Sequence, residues 1–333
     1  MVINGQSSGF VKLVCGVPQG SVLGPKLFTI YSAPIAEIGR KHCLDLHMFA
    51  DDTQLYVAFR LNMLDEQTDI LGKIETCIVE IKEWMTLNKL KLNEDKTEFL
   101  VITSPHNRQK VSVDSVDVCG SCVNCVESAR NLGAYFDDEM KMETHVTSMC
   151  QAAFHRLRMI KCIRRSLTRE STKTVIHAFV TSRLDNGNAL LAGLPNSLLN
   201  KLQRVHNAAA RTILCMKKSD HITPALKALH WLPIKQRIEY KLLVLTWKAL
   251  HNQAPGYISD LVIPLAHCRT LRSNNQMLLE VPRTKLKSYG DRAFSVAAPK
   301  AWNKLPLDVK TITNLETFKQ KLKAHMFRCA FES

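Results

Sequence analysis

Phe49-Ala50-Asp51-Asp52-Thr53 is the stretch on which the fold of this chain turns. Apolar residues recur at every second position on both sides of it: Leu44, Leu46 and Met48 before, Leu55, Val57 and Phe59 after. That period is the signature of half-buried strands. Two such strands joined through Asp51-Asp52 make a β-hairpin with two adjacent carboxylates at its turn. Neighbouring carboxylates repel, and one use that outweighs the repulsion is holding a hard divalent cation through oxygen. A solvated Asp-Asp turn is the plainer reading, because Asp is a common turn residue. The pentapeptide alone leaves both open.

The surrounding chain sets the scale. Its 333 residues suffice for two or three domains with a sizeable core, and 46% hydrophobic and 23% charged residues suit a soluble globular protein. No apolar run approaches the length of a membrane span, and the N-terminus lacks the basic-then-apolar pattern of a secretory signal. Eleven cysteines without a framework of spacings suit reduced thiols, and so the cytoplasm and/or the nucleus. The net charge of +15 is unevenly spread. Residues 1–140 carry 13 Lys/Arg against 19 Asp/Glu, a net of −6, whereas residues 141–333 carry 32 against 11, a net of +21. A strongly basic segment behind an acidic one points to a polyanionic partner for the second part, the alternative being solvated Lys/Arg-rich helix faces.

Upstream of the hairpin, Val11–Val14 reads as a short strand running into the Gly/Pro-rich loop 16–25. Leu23, Leu27, Phe28, Ile30 and Tyr31 then follow helical spacing, which predicts a helix over 22–39. A glycine loop before a helix start brings backbone N–H groups close to an anion. Downstream, Leu61 to Met85 has the spacing of a long amphipathic helix ending near Asn88. Strands are expected over Phe99–Ile102 and Val111–Val118, and another strand and turn over Leu132–Asp137, with 105–110 a loop. Cys119, Cys122 and Cys125 are expected on a hairpin turn, since a closed zinc site would want four ligands and no second Cys/His pair is suitably spaced.

From residue 141 the pattern is helical. Met142, Val146, Met149, Ala153, Leu157, Ile160 and Ile163 line one face of a helix whose other faces carry Arg156, Arg158, Lys161, Arg164 and Arg165. Thr168 is positioned to cap a second helix through about Arg183. Pro195-Asn196 precedes a third, displaying Lys201, Arg204 and Arg211, and Pro233 opens a fourth containing Trp247. Weak strand signals at Met277–Val281 and a helix over about Asn314–Phe331 complete the chain.

Together these stretches resemble the reverse transcriptase of non-long-terminal-repeat, LINE-type (jockey/CR1/Rex-like) retrotransposons, along essentially the whole chain. GVPQGSVLGP at 16–25 is similar to motif B, FADD at 49–52 to motif C, Trp84–Ile102 to motif D, and Leu132-Gly133 with Asp137 to motif E. SRLDNGNALLAGLP, LQRVHNAAAR, HWLPIKQRIEYK and YGDRAFSVAAPKAWNKLP resemble the thumb and C-terminal region. The resemblance implies an α+β protein: a partial polymerase palm of antiparallel sheet plus helices over 1–140, a basic helical thumb over 141–254, and a C-terminal region over 255–333. It implies nucleotidyl transfer, with RNA template, DNA primer and deoxynucleoside triphosphates as partners and two Mg²⁺ ions at the reacting oxygens. Asp51 and Asp52 would be the catalytic metal ligands. Gln19, Gly20 and Ser21 would lie near the incoming nucleotide, and Lys96 near the pyrophosphate unless it is an ordinary surface lysine. Arg156, Arg158, Lys161, Arg164, Arg165, Lys201, Arg204 and Arg211 would track the nucleic-acid backbone, making binding salt-dependent.

The chain departs from the family at one point. Polymerases of this class need a further metal-binding aspartate on a strand before motif B, and here no Asp precedes Asp45. Asp45 lies six residues before Asp51 on the same strand, roughly 20 Å away, too far to share an ion. The fingers and the first half of the palm are also missing, which leaves the sheet incomplete with an exposed edge. The expectation is a polymerase fragment inactive by itself; the competing readings are a non-catalytic nucleic-acid-binding module and an unselected remnant of a degraded element.

Overall fold

The computed structural model describes residues 2–3, 6–7, 16–17, 20–61, 64–265 and 276–332, which form two compact units, 1–129 and 130–333. The strand expected over Val11–Val14, and Gln19, lie outside the described residues.

In the first unit a minimal hairpin of β1 (Val2–Ile3) and β2 (Gln6–Ser7) precedes α1 (Gly24–Ser32) and α2 (Ile35–Lys41). The single helix expected over 22–39 is therefore two. Pro34 has no N–H to continue the ladder; Ala33 N bonds back to Ile30 O at 3.4 Å, and the helix restarts at Ile35. The hairpin of β3 (Asp45–Phe49) and β4 (Asp52–Tyr56) follows, then α3 (Leu64–Leu87), a 3₁₀ turn at Glu94–Lys96, α4 (Pro105–Arg108), and the hairpin of β5 (Ser115–Val118) and β6 (Ser121–Asn124). The core is small: Ile35 and Ile38 of α2, Leu44, and Cys77 and Ile81 of α3 are buried, with Leu46, Met48, Leu55 and Val57 of the hairpin region packed on them. Gln67, itself buried, ties α3 to the segment before β5 through Lys110 O, Ser112 N and Ser112 Oγ.

Four expectations need correction here. The strand expected over Val111–Val118 forms only over Ser115–Val118. Phe99–Ile102 forms no strand; Phe99 makes one isolated bridge to Cys125, and the apolar run reports the burial of Val101 rather than a ladder. The loop expected over 105–110 contains the turn of helix α4, which Pro105 starts at a position where its missing N–H is harmless. The apolar spacing of α1 does not mark a buried face: Leu23, Leu27, Ile30 and Tyr31 are 47–71% exposed, and Ser32 is the buried residue of that helix. The three cysteines do sit on the β5–β6 hairpin and its exit, around a Cys119-Gly120 turn whose two residues have φ of 54° and 95°.

β7 (Ser128–Asn131) and β8 (Ala134–Asp137) form a fourth two-stranded sheet, closed by Leu132-Gly133, both at positive φ. The second unit is otherwise helical: α5 (Glu143–Ile163), α6 (Arg169–Ile176), a π turn at His177–Thr181, α7 (Ser182–Asp185), α8 (Asn196–Leu214), α9 (Thr223–Leu229) and α10 (Ile234–Leu250). Then come α11 (Gly256–Ser259), α12 (Lys287–Gly290), α13 (Phe294–Asn303), α14 (Leu307–Lys310) and α15 (Leu315–Phe331). The strand signal at Met277–Val281 is a single bridge between Leu279 and Pro264. Two cores fill the unit. Val146, Ala153, Leu157, Leu202, Val205 and Trp231 belong to one; Leu243, Trp247, Trp302, Phe318 and Leu322 belong to the other. Helix α10 serves both, with Ile234 and Ile238 in the first and Leu242 to Ala249 in the second.

Candidate functional site

The β3–β4 hairpin pairs Asp45 with Tyr56, Leu46 with Leu55, His47 with Gln54, Met48 with Thr53 and Phe49 with Asp52. Directly opposed residues share a face, so Leu46, Met48 and Leu55 pack on the core while Asp52 stands with Phe49 and Gln54 on the other side. Only Ala50 and Asp51 remain for the turn, and Ala50 is the residue that takes positive φ, 54°. A non-glycine residue in the left-handed region costs about 1 kcal/mol. Tightness at this position thus outweighs local comfort, and the result is two consecutive exposed carboxylates, Asp51 and Asp52. Asp45, at the opposite end of the hairpin, stays apart from them. Among the described residues no group of three His, Cys, Asp or Glu side chains could together hold a metal ion.

The loop before α1 bends at Gly20, whose φ of 89° suits glycine alone, and Ser21 follows. Ser21 Oγ accepts the N–H of Gly24 at 3.1 Å, so it caps the first turn of α1. Lys96 is exposed on the 3₁₀ turn, beside Glu94, which pairs with Lys82 at 2.6 Å and accepts from Ser121 Oγ at 2.9 Å. Those two partners hold the Glu94 carboxyl below its usual range, Lys82 first.

In the second unit the basic residues sort into two kinds. Arg164 is committed to structure: Nε donates to Thr212 O at 3.0 Å, Nη1 to Leu167 O at 2.8 Å and Nη2 to Ile213 O at 3.1 Å. It thereby caps carbonyls at the end of α8 that lack intrahelical partners. Arg211 donates to Asp220 O at 3.0 Å and is half-buried. Arg158, Lys201 and Arg204 instead line one cleft of about 490 Å³ between α5 and α8, with Phe154 and His155 beside them and Cys150 also lining it. Among the described residues none of the three cations has an ion-pair partner. Lys161 and Arg165 are exposed further along the same chain segment, and Arg156 is half-buried. The sequence reading found the cations but not Phe154 or His155; Phe154 lies one helical turn before Arg158, the one signal that pointed to it.

Asp137 of β8 has a local task. Its carboxylate accepts the N–H groups of Lys141 and of Glu143, the latter at 3.2 Å, and so caps the start of α5. Arg292 donates to Met140 O in the same turn at 2.6 Å.

Residues 1–136 match the family described as reverse transcriptase (RNA-dependent DNA polymerase), and the stretch includes both the loop before α1 and the Asp51-Asp52 hairpin. Over 159 residues, 45% of the chain, it is 23% identical to the RNA-directed DNA polymerase from mobile element jockey of Drosophila melanogaster. The aligned part is 16% of that protein's length. No solved structure matches the chain. The two matches support a relationship to the reverse transcriptases of non-long-terminal-repeat, LINE-type retrotransposons. Among the described residues no helix is long and apolar enough to cross a membrane.

Proposed function

We propose that this chain is a retrotransposon reverse transcriptase segment that carries part of a nucleotidyl-transfer centre and does not polymerise alone. The observation that supports it most is the tight hairpin presenting Asp51 and Asp52 to solvent inside the region similar to reverse transcriptases. In this reading Asp51 is the principal Mg²⁺ ligand and Asp52 the second acid. Gln19, Gly20 and Ser21 lie toward the incoming deoxynucleotide, Lys96 toward the leaving pyrophosphate, and RNA template and DNA primer are the polymeric partners. Bound Mg²⁺ would supply charge stabilisation at the attacking and leaving oxygens. Among the described residues the donor set falls short of such a centre: two carboxylates adjoin, and Asp45 is at the far end of the hairpin. No catalytic step is therefore assigned to the chain by itself.

Primer extension on an RNA template with Mg²⁺ tests this. The chain as it stands is expected to extend nothing. A version joined in frame to an upstream strand bearing an aspartate is expected to extend, and Asp51→Asn in that background to abolish extension. Inactivity of the joined, folded version would overturn the assignment; activity of the chain alone would overturn the incompleteness. A nucleic-acid-binding role without chemistry is favoured by a separate observation, the unpaired cations of the α5–α8 cleft.

A further inference from the structure

The α5–α8 cleft combines features that a solvated helix face does not need. Helices α5 and α8 pack through the Ala153, Leu157, Leu202 and Val205 side of their surfaces. Beside that seam residues of both helices line a space within the range of small-ligand clefts. Arg158, Lys201 and Arg204 come from both walls and converge without a carboxylate among them. Three like charges around one opening repel one another unless an anion enters it. Phe154 is 42% exposed at the same opening, an apolar ring left to water beside the cations. Beyond the cleft, α5 continues to Lys161, and Arg165 follows it, about 10 Å past Arg158 at helical rise.

Cations explain an anionic ligand, and the ring narrows its class. A duplex hides its base faces, so it would meet the cations and leave Phe154 without a partner. An acidic peptide would do the same. A single strand offers phosphates and an unstacked planar base together, the combination read by basic grooves with an aromatic platform. We infer that the α5–α8 cleft binds single-stranded nucleic acid, with Arg158, Lys201 and Arg204 on backbone phosphates and Phe154 stacked on an unpaired base. The site depends on the proposed nucleic-acid partner but not on the hairpin. Primer extension reports on Asp51 and binding reports on the cleft, so either reading can fail while the other stands.

The test is fluorescence anisotropy of the full chain with a labelled RNA strand of about 12 nucleotides. The same sequence as duplex and a poly-glutamate peptide are the comparison ligands, each titrated between about 50 and 200 mM salt. The single strand is expected to bind most tightly. Joint replacement of Arg158, Lys201 and Arg204 by Ala is expected to reduce the steepness of log affinity against log salt by about 2, as for three lost phosphate contacts. Phe154→Leu is expected to weaken the single strand by about 5- to 100-fold, leaving the salt slope and duplex binding unchanged. All four side chains are exposed, and circular dichroism checks that the variants keep their helices. Equal binding of duplex or poly-glutamate, an unchanged slope in the triple variant, or an unchanged affinity in Phe154→Leu would each overturn the inference.

Discussion

Arg164 and Arg165 are adjacent, carry the same charge and are differently employed. The guanidinium of Arg164 meets three backbone carbonyls, two of them at the end of α8, whereas Arg165 is exposed. Hydrogen bonds from a charged donor are each worth about 1.5–3 kcal/mol when lost, less where solvent reaches. Arg164→Ala is expected to lower unfolding stability by about 2–3 kcal/mol. It should leave the salt slope of RNA binding unchanged. Arg165→Ala is expected to do the reverse, holding stability within about 0.5 kcal/mol and reducing the slope. Urea unfolding beside the anisotropy titration separates the two. His206 is the other residue with a measurable consequence. It is fully buried against Trp231, 4.9 Å between ring centres, and burial pushes its pKa down to about 3 from 6.5. The unfolded chain therefore binds a proton there that the folded chain refuses, between pH 6.5 and about 3. Stability contributed by neutral His206 is fully present above pH 6.5 and falls as pH drops through that window, by about 1.4 kcal/mol per unit. His145 and His177, also lowered chiefly by burial, act in the same direction. His206→Leu is expected to remove about one proton from the pH dependence of unfolding between pH 6 and 4; an unchanged slope would refute the buried neutral ring.

At the scale of elements, the helices of the second unit follow from local chemistry. Thr168 Oγ1 accepts the N–H of Ser171 at 3.1 Å and starts α6, and Asn314 Oδ1 accepts from Thr317 at 3.0 Å and starts α15. Thr168→Ala is expected to cost about 1 kcal/mol and Thr168→Ser to recover most of it, read as shifts in melting temperature. These helices were legible in sequence because a start signal and an apolar face agreed at each: a capping side chain at α6 and α15, and a proline, Pro195 or Pro233, before α8 and α10. Helix α13 was not, because Pro299 stands inside it and its short Ala-rich run looks like a loop; Trp302, fully buried, is what holds it. Phe99–Ile102 misled for the opposite reason: an apolar run reports burial, but a strand also needs a neighbour to pair with. The Asp51-Asp52 hairpin was readable since its strands, turn and carboxylates lie within a dozen residues. The cleft was not, since Phe154 and Arg158 lie on one helix and Lys201 and Arg204 on another. Only packing brings those faces together.

For the molecule as a whole, charge and core are divided alike. The acidic first part has its apolar centre in a few side chains of α2, α3 and the hairpin, whereas the basic second unit holds two larger clusters joined along α10. Burial of apolar surface is the dominant favourable term in folding, roughly 25 cal/mol per Å², so the smaller centre is the less resistant to denaturant. Unfolding in urea is accordingly expected in two steps, residues 1–129 first, rather than in one cooperative transition. The tryptophans make the steps separable. Trp84 packs on the first unit's core, while Trp231, Trp247 and Trp302 are buried in the second. Emission should show an early, small change and a later, large one. Trp84→Phe is expected to erase the early change and leave the later midpoint where it was. A single transition, superimposable on the loss of helix by circular dichroism and merely dimmed in Trp84→Phe, would show that the chain folds as one cooperative body.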